Sequence, residues 1–399
     1  MSATLAATLL GSTLTCVGAG YALAAALVSR RPALSPDPSP ASGRGEQTDC
    51  SLPSPTPVGE GPGERAISIL KPLCGDEPRL YDNLATLCTQ QGVEAQLVCG
   101  VRDHADPAIA VVERLQRDLP AFDIALVVDP HVHGSNLKVS NLINLSRAAK
   151  HDLLVVADSD IAAPPDYLAR VCAPLADPAV GIVTCLYRGR AIGGLWARLG
   201  AQFIDDWFAP SVRIAHALGS RKFAFGATIA LRRDTLDAIG GFAALADKLA
   251  DDYWLGELTR QRGLRTVLSD VVVTTDVTES RLATLWSHEL RWLRTIRSLN
   301  PTGFAFTFVT FTWPMLVAGL LLAPSPAMLA VAVAGVIARS ILAGNLRGAL
   351  RAPLRDLLLL AGWAAALPGT HVRWREQVLP VRSPRQAPRQ IQTQHPRTP

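Results

Sequence analysis

This chain of 399 residues contains three pairs of aspartates and one basic-aromatic motif whose side chains could take part in catalysis or binding. Asp158-Ser-Asp160 directly follows the apolar run 153–157, which predicts a buried strand of a parallel sheet. Ligands of such sheets bind at the carboxyl ends of the strands, so these carboxylates can bind a divalent cation against a diphosphate. The other groups are, in chain order, Asp103 and Asp106, Asp251 and Asp252, and His288-Glu-Leu-Arg-Trp292.

The pair Asp158 and Asp160 predicts a metal site. Two carboxylates this close repel each other unless a cation or a basic group compensates their charge. Oxygen ligands suit a hard cation, so Mg²⁺ or Mn²⁺ fits better than zinc. The alternative is that one of the two carboxylates only caps the chain that follows.

Asp103 and Asp106 follow a second predicted strand, 95–99, and are candidates for nucleotide binding. At the carboxyl end of that strand their side chains can accept hydrogen bonds from a base or a ribose. The alternative is helix capping ahead of Pro107, which explains the same residue types without a ligand.

Lys138 and Asn141 lie where the turn 133–136 opens a predicted helix. The first turn of a helix can present backbone amides to a phosphate, and Lys138 can add an ammonium group. These residues are therefore predicted to contact the phosphates of the same nucleotide. The alternative for Lys138 is an ordinary solvated position on the helix surface.

Asp251-Asp252-Tyr253 opens another predicted helix, which ends near Gly263. The functional interpretation places a carboxylate beside an acceptor hydroxyl, where Asp252 can remove the proton as the hydroxyl attacks. The structural alternative is that acidic side chains in a first helical turn interact favourably with the helix dipole.

The motif from His288 to Trp292 lies on a predicted amphipathic helix. Arg291 can neutralise a departing diphosphate, and Trp292 can pack against an acceptor or anchor at a membrane interface. Arg294 and Arg297 continue the basic face and can simply flank the next apolar segment.

The elements that must position these residues alternate between strands and helices, which predicts an α/β fold with a doubly wound parallel sheet. The predicted strands are 66–70, 95–99, 124–128 and 153–157, and the predicted helices are 81–90, 107–118 and 138–149.

The apolar fraction of 49% favours a membrane protein. Residues 3–28 form an uncharged run long enough to cross a bilayer, and it ends at Arg30-Arg31, which favours a cytoplasmic exit. A cleaved signal peptide is the alternative, but its basic residues should precede the apolar run. Two further spans are predicted at 304–322 and 327–343, and the shorter segment 357–367 is predicted to be interfacial or re-entrant.

The arginines after the second of these spans place the globular part on the cytoplasmic side. The predicted organisation is an N-terminal transmembrane anchor, a Pro/Gly/Ser-rich linker, a catalytic domain, C-terminal membrane helices and a basic disordered tail, at 1–31, 32–64, 65–300, 301–369 and 370–399.

The net charge indicates which partners to expect, and the cysteines indicate whether disulfides or a zinc site are present. The net charge of +5 comes largely from the membrane flanks and the tail, which favours anionic lipid headgroups. No nucleic-acid partner is expected, because no stripe of basic and aromatic residues and no zinc-finger spacing is present. The seven cysteines are odd in number and contain no CxxC pair, so neither a disulfide framework nor a zinc site is indicated.

The ordered set of motifs resembles the ceramide glucosyltransferase-like branch of inverting glycosyltransferases of GT-A type. The resemblance covers about 67–300 and the membrane layout. It rests on Lys71-Pro-Leu, Asp103-His-Ala-Asp-Pro-Ala-Ile109, Lys138 with Asn141-Leu142, Asp158-Ser, Gly240-Gly, Asp252-Tyr253 and Arg291-Trp292.

Within that branch the chain looks most like the bacterial hopanoid-biosynthesis glycosyltransferases. This narrower resemblance rests on Asn141-Leu-Ile-Asn144, Cys185-Leu-Tyr-Arg-Gly189 and Leu249-Ala-Asp-Asp-Tyr253. It implies transfer of N-acetylglucosamine from a UDP-sugar to a bacteriohopanetetrol-type lipid, by a multi-pass protein of the bacterial inner membrane with its catalytic domain in the cytoplasm.

The resemblance also implies separate roles for the aspartates. Asp106 is the nucleotide-contacting carboxylate, Asp158 contacts the metal and the diphosphate, and Asp252 is the general base. The closing motif usually begins with Gln or Arg, and here His288 stands in that place.

Trp196, Phe203 and Trp207 recur at helical spacing and can form an interfacial face that admits the lipid acceptor. Core packing is the alternative for these side chains. Three alternatives to the hopanoid function stay open: a ceramide glucosyltransferase, a processive polysaccharide synthase and a non-catalytic lipid-binding scaffold.

Overall fold

The computed structural model describes residues 2–30, 66–374 and 377–380, and it divides into two compact units. Of the described residues, the helical unit comprises 2–29, 193–210, 279–374 and 377–380, and the sheet unit comprises 30, 66–192 and 211–278. The predicted linker, 32–64, lies outside the described residues.

The secondary structure alternates between strands and helices up to β4 and is mainly helical at both ends. In chain order the helices are α1 (Ala3–Arg30), α2 (Leu80–Cys88), α3 (Ala108–Asp118), α4 (Leu137–Ser146), α5 (Tyr167–Cys172), α6 (Leu195–Phe203), α7 (Ala209–Ala217), α8 (Arg233–Ala238), α9 (Asp251–Gln261), α10 (Leu282–Leu299), α11 (Pro301–Ala305), α12 (Thr312–Leu322), α13 (Pro326–Leu342) and α14 (Leu346–Ala366). The strands are β1 (Ile67–Pro72), β2 (Ala95–Val101), β3 (Asp123–Val128), β4 (Leu153–Val156), β5 (Ile161–Ala162), β6 (Val180–Ala191), β7 (Ile229–Arg232), β8 (Arg265–Val277), β9 (His371–Trp374) and β10 (Gln377–Pro380). Short 3₁₀ segments occur at Ala173–Ala176, Phe242–Leu245 and Thr307–Thr310, and a π-helical segment occurs at Ile204–Phe208.

The sheet unit contains one eight-stranded sheet in the order β3-β2-β1-β4-β7-β6-β8-β5. The first four strands in this order run parallel, as predicted. The prediction of a parallel sheet throughout was wrong, because β7 is antiparallel to β4 and β6, and β5 is antiparallel to β8. The short β5 does not pair with β4, which precedes it, but with β8 at the edge of the sheet. Its direction and that of β7 therefore depend on partners far along the chain, and the sheet is mixed.

Alternating side chains of the strands fill two cores, one on each face of the sheet. On β1, Ile67 and Ile69 pack into the core that contains the buried leucines of α2. Leu70 packs on the opposite face, with the buried side chains of α4. Because consecutive strand residues point to opposite faces, an almost continuously apolar strand is required here. This arrangement fixes the carboxyl end of β4, where Asp158 follows.

In the helical unit, α1 is the one described helix that is by itself long and apolar enough to cross a membrane. The predicted span 304–322 is broken into α11, a 3₁₀ turn and the 11-residue α12, which is about 16 Å long. The hydrocarbon core of a bilayer is about 30 Å thick, so α12 is too short to cross it straight.

The predicted span 327–343 corresponds to α13, and the predicted short segment 357–367 is the second half of the 21-residue α14. Together, α13 and α14 are long and apolar enough to cross a membrane, but a bend of 115° separates them. Gly344, with φ +71°, ends α13, and Asn345 caps α14 by accepting a hydrogen bond from Gly348 N. The break therefore has a local sequence cause. Antiparallel pairing of β9 with β10 replaces part of the predicted tail.

Buried ion pairs join the helices of this unit. The Arg339 guanidinium lies 2.7 Å from Asp206 Oδ2 and 3.0 Å from Asp356 Oδ1, and all three side chains are almost fully buried. Arg355 donates two hydrogen bonds of 2.6 Å to the carboxylate of Glu289. Removal of one member of such a pair leaves a buried charge without compensation.

Candidate active site

Lys138, in the first turn of α4, lies between the carboxylates of Asp158 and Asp251. Asn136 caps the helix by accepting hydrogen bonds from Lys138 N and Val139 N, and its own amide group donates to Lys248 O at 2.7 Å. The Lys138 ammonium then lies 2.7 Å from Asp158 Oδ1 and 3.4 Å from Asp251 Oδ2. Two of the three acidic pairs therefore meet at one lysine.

Gly226 connects Asp252 to Asp158 through its backbone. Its N–H donates to Asp252 Oδ2 at 3.1 Å, and its carbonyl accepts from Asp158 N at 3.2 Å. A β-carbon at this position would lie 2.9 Å from Asp158 Oδ2 and 3.2 Å from Lys138 Nζ. A larger residue here would displace the Asp158 carboxylate or the Lys138 ammonium, so glycine allows the backbone to pass close to both charged groups.

The Asp252 carboxylate is held by the backbone, and its pKa is raised. Two backbone amides fix it, since Tyr253 N also donates to Oδ1 at 2.7 Å. Burial raises the pKa of Asp252 to about 6, the neighbouring charge of Asp251 adds to the rise, and Lys138 opposes it. A carboxylate with its pKa near neutrality can take a proton and release it again.

The charge of Lys138 is secured by its surroundings. Burial alone would lower the pKa of its ammonium group, but Asp158, Asp251 and Asp252 outweigh that effect and raise it. Lys138 therefore stays protonated throughout the pH range in which Asp252 titrates.

Lys71 and Asp160 are the charged neighbours of Asp158 on the side of the sheet core. Lys71 at the end of β1 is fully buried and donates a hydrogen bond to the backbone carbonyl of Asp158. Burial lowers the pKa of Lys71 to about 8. Burial also raises the pKa of Asp160 to about 7, and the charge of Asp158 contributes to the rise. The Asp160 carboxylate accepts a hydrogen bond of 2.6 Å from Thr275.

The donor set of Asp158 and Asp160 fits a hard divalent cation. The Asp158 side chain is 39% exposed and offers carboxylate oxygens. Burial and, after it, the charge of Asp158 raise the pKa of Asp160, and a cation beside the two carboxylates would compensate their charge. Within the described ranges no group of three or more His, Cys, Asp or Glu side chains forms a ready-made metal site. A cation bound here would take its remaining ligands from water or from the phosphates of a substrate.

Three residues predicted to bind the nucleotide make local structural contacts. Asp106 accepts hydrogen bonds from Gly75 N and from Ala108 N at the start of α3. Asp103 is exposed and accepts a hydrogen bond from the backbone of Ala105. The Asn141 amide group is buried and donates to Gly100 O at 2.7 Å. The contact of Asp106 with the start of α3 matches the capping alternative, and nucleotide binding by all three residues stays a prediction.

The closing motif and the aromatic residues belong to the helical unit. Phe203 and Trp207 are buried, with ring centroids 5.0 Å apart, so the core-packing alternative describes their contacts. Trp196 is partly exposed. Trp292 lies 5.5 Å from Phe203, measured between ring centroids. Arg291 is on the same helix, α10.

The role of Lys71 within the site was not predicted from its residue type and spacing. Its signal in the sequence is a single charged residue at the end of the apolar strand Ile67-Ser-Ile-Leu-Lys71. A lysine in such a position is expected to reach a carboxylate or carbonyl partner, because an isolated buried charge is too costly.

Comparison with known proteins places this geometry in a family. The model of glycosyl transferase family 21 matches residues 46–387. Ceramide glucosyltransferase 1 of Caenorhabditis elegans is 24% identical over 236 residues, which are 59% of this chain and 50% of that protein. Ceramide glucosyltransferase 3 of the same organism is 25% identical over 232 residues, 57% of this chain and 50% of that protein. The chain thus spans about half the length of these relatives.

Among solved structures, a mannosyltransferase from Pyrobaculum calidifontis in complex with GDP-Man and Mn²⁺ has a similar fold. It is 20% identical, its TM-score is 0.52, and the match covers 90% of this chain and 99% of that one. The fold is therefore a GT-A-like glycosyltransferase fold with a mixed sheet. Because the family model matches most of the sequence, the chain belongs to glycosyl transferase family 21 and is a glycosyltransferase.

Proposed function

We propose that this protein moves N-acetylglucosamine from a UDP-sugar to a hydroxyl group of a bacteriohopanetetrol-type hopanoid, with inversion at the anomeric carbon. The observation that carries the proposal is Asp252, whose carboxylate is fixed by two amides, has its pKa raised to about 6, and lies in one cluster with Asp158 and Lys138. The acceptor oxygen forms a bond to the anomeric carbon, the bond to UDP breaks, and Asp252 takes the hydroxyl proton.

The remaining site residues receive roles within this proposal. Asp103, Asp106 and Asn141 lie near the carboxyl ends of β1 and β2 and would contact the nucleotide. Arg291 would stabilise the charge of the departing UDP, and Trp292 would pack against a substrate. The roles of Arg291 and Trp292 are proposed from the sequence motif alone, because both residues belong to the helical unit and the acidic cluster belongs to the sheet unit.

Asp158 and Asp160 would bind Mg²⁺ or Mn²⁺. A bound cation supplies positive charge for the diphosphate that leaves. The chain itself contributes Lys138 to the same purpose, because its ammonium already lies 2.7 Å from Asp158.

The lipid acceptor and the location are supported by the helical unit and by the relatives. Residues 3–29 form a helix apolar enough to cross a bilayer, and the matched relatives are ceramide glucosyltransferases. We place the protein in the bacterial inner membrane as a multi-pass protein with its catalytic domain in the cytoplasm. A ceramide acceptor with glucose as the sugar is the second candidate, favoured by the names of the relatives.

Lipid analysis distinguishes these candidates. Lipids are extracted from cells with and without this protein and compared by mass spectrometry. Loss of a hopanoid that carries a hexosamine supports the proposal, and loss of glucosylceramide supports the second candidate. A ladder of products would instead indicate a processive synthase, and unchanged lipids together with UDP-sugar binding would indicate a scaffold.

Removal of divalent cations should stop the transfer. Treatment of the purified protein with a chelator should lower the rate at least about 100-fold, because the diphosphate then leaves without metal charge. Addition of Mg²⁺ or Mn²⁺ should restore the rate, and Asp158→Asn should raise the metal concentration needed for half-maximal activity. Full activity in the chelator would contradict the assignment of Asp158 and Asp160.

Lys138→Met should move the acidic limb of the pH profile. Lys138 holds the pKa of Asp252 below the value that burial alone would give, so its loss should shift the fall in kcat/KM to higher pH. Lys150→Met is the matched control, since Lys150 pairs with Asp123 on an exposed surface. An unshifted limb in Lys138→Met would show that the two groups are not coupled.

A further inference from the structure

His288 makes a short hydrogen bond with a carboxylate that precedes its own helix. His288 Nδ1 lies 2.5 Å from Glu279 Oε1, and the Glu279 side chain is only 12% exposed. An ionised Glu279 carboxylate can only accept, so Nδ1 is assigned as the donor of this bond, which holds the imidazole ring in one orientation. Glu279 stands three residues before Leu282, where α10 begins, and thus ties the entry of the helix to its second turn.

The fixed imidazole ring then contacts the indole of Trp292. These residues are one helical turn apart, and their ring centroids are separated by 4.7 Å with an angle of 78° between the planes. This edge-to-face arrangement is a favourable geometry for aromatic pairs. His288 therefore limits the orientations open to Trp292 from one side.

Two phenylalanines also lie near the indole of Trp292. Phe203 on α6 lies 5.5 Å from Trp292, and Phe208 in the π-helical segment lies 6.4 Å from it, measured between ring centroids. Phe203 is itself buried, and the Arg355 guanidinium lies 5.6 Å from its ring centroid. The rings of His288, Phe203 and Phe208 thus all lie close to the Trp292 indole.

We propose that His288 is a positioning residue for Trp292 and that Glu279 orients His288 for this task. The inference rests on the proposed function, in which Trp292 contacts a substrate. His288 need not touch the substrate for this role, because it acts through the orientation of the indole. A misplacement of about 1 Å at a reacting site can cost about 100-fold in rate. Loss of the restraint on the indole should therefore lower the rate of transfer measurably.

Two substitutions separate the ring contact from the hydrogen bond. His288→Asn retains an N–H donor for Glu279 but removes the ring edge from Trp292. His288→Phe retains a ring beside Trp292 but removes the hydrogen bond. His288→Asn should lower kcat about 10-fold to 100-fold while KM for the donor changes less than about 3-fold. His151→Asn, at the opposite end of β4, is the matched control.

A double-mutant cycle tests whether the residues act together. In the Trp292→Phe background, His288→Asn should cause less than about a 2-fold further loss, because the indole that it orients is already absent. Losses that multiply in the double variant would overturn the proposal.

Fluorine NMR of protein labelled with 5-fluorotryptophan gives a readout independent of activity. The signal lost in Trp292→Phe identifies Trp292, and that signal should shift or broaden in both His288→Asn and Glu279→Gln. An unchanged signal in both variants would overturn the positioning role. If no lipid transfer is found in any assay but the signal still shifts, the proposed function fails and the positioning of Trp292 stands.

Discussion

Asp252→Asn should reduce sugar transfer by about 1,000-fold while binding of UDP is retained. The asparagine keeps the size of the side chain and an oxygen that can accept from Gly226 N, at present 3.1 Å from Asp252 Oδ2, but it cannot take a proton. The measurement is the initial rate with the purified protein, together with calorimetric titration of UDP. Asp237→Asn is the matched control, because Asp237 is an exposed residue of α8.

The pH dependence follows from the same carboxylate. Asp252 must be ionised to accept the proton, and burial raises its pKa to about 6. The value of kcat/KM should therefore be level above about pH 7 and should fall about 10-fold per pH unit below pH 6. The residual activity of Asp252→Asn should lack this limb. Retention of the limb in that variant would assign the titration to another group.

Arg339→Met should destabilise the helical unit by about 3–5 kcal/mol, because it leaves Asp206 and Asp356 buried without their common partner. This corresponds to a fall in Tm of about 10 °C in a thermal unfolding experiment in detergent. Arg347→Met is the control, since Arg347 is an exposed residue of α14.

A compensating variant separates the lost charge from the changed shape. Arg339→Met combined with Asp206→Asn and Asp356→Asn removes the uncompensated charges and should recover most of the lost Tm. If the single substitution leaves Tm unchanged, or if the triple variant recovers nothing, the ion pairs do not stabilise this unit.

The half of the sheet that carries Asp158 could be predicted because local patterns determine it. Apolar strands of four to seven residues, alternating with helices, leave few choices besides parallel pairing from β1 to β4. The other half could not be predicted in this way. The direction of β7 and β5 depends on partners far along the chain, and β5 has only two residues.

The C-terminal spans illustrate a second limit. Hydropathy indicates where apolar residues accumulate but does not show where a helix breaks. Gly344-Asn345 contains residues that end and cap helices, and the bend between α13 and α14 falls there. The break inside the predicted span 304–322 falls at 306–311, between α11 and α12, where the sequence has no glycine, proline or asparagine to mark it.

At the site, residue type and spacing indicated the acidic pairs but not their contacts. Asp106 and Asn141 have the same residue types whether they bind a nucleotide or a backbone, and the structure gives both of them backbone partners. Asp252 differs because the amide donor Gly226 N and the burial that raises its pKa depend on a fold that brings 226 and 252 together. Such a long-range contact cannot be deduced from local pattern.

The proposed role of Asp252 in the transfer of one sugar to a lipid hydroxyl is tested most directly with purified protein. The full-length protein and its Asp252→Asn variant are each incubated with Mg²⁺, a UDP-sugar and a defined lipid. The masses of the products are then measured by mass spectrometry. UDP-N-acetylglucosamine with bacteriohopanetetrol is compared with UDP-glucose with ceramide. We expect a hopanoid that carries a single N-acetylglucosamine from the wild-type protein and at most a trace from the variant. Equal product from both proteins would contradict the role of Asp252, and product from ceramide alone would contradict the acceptor.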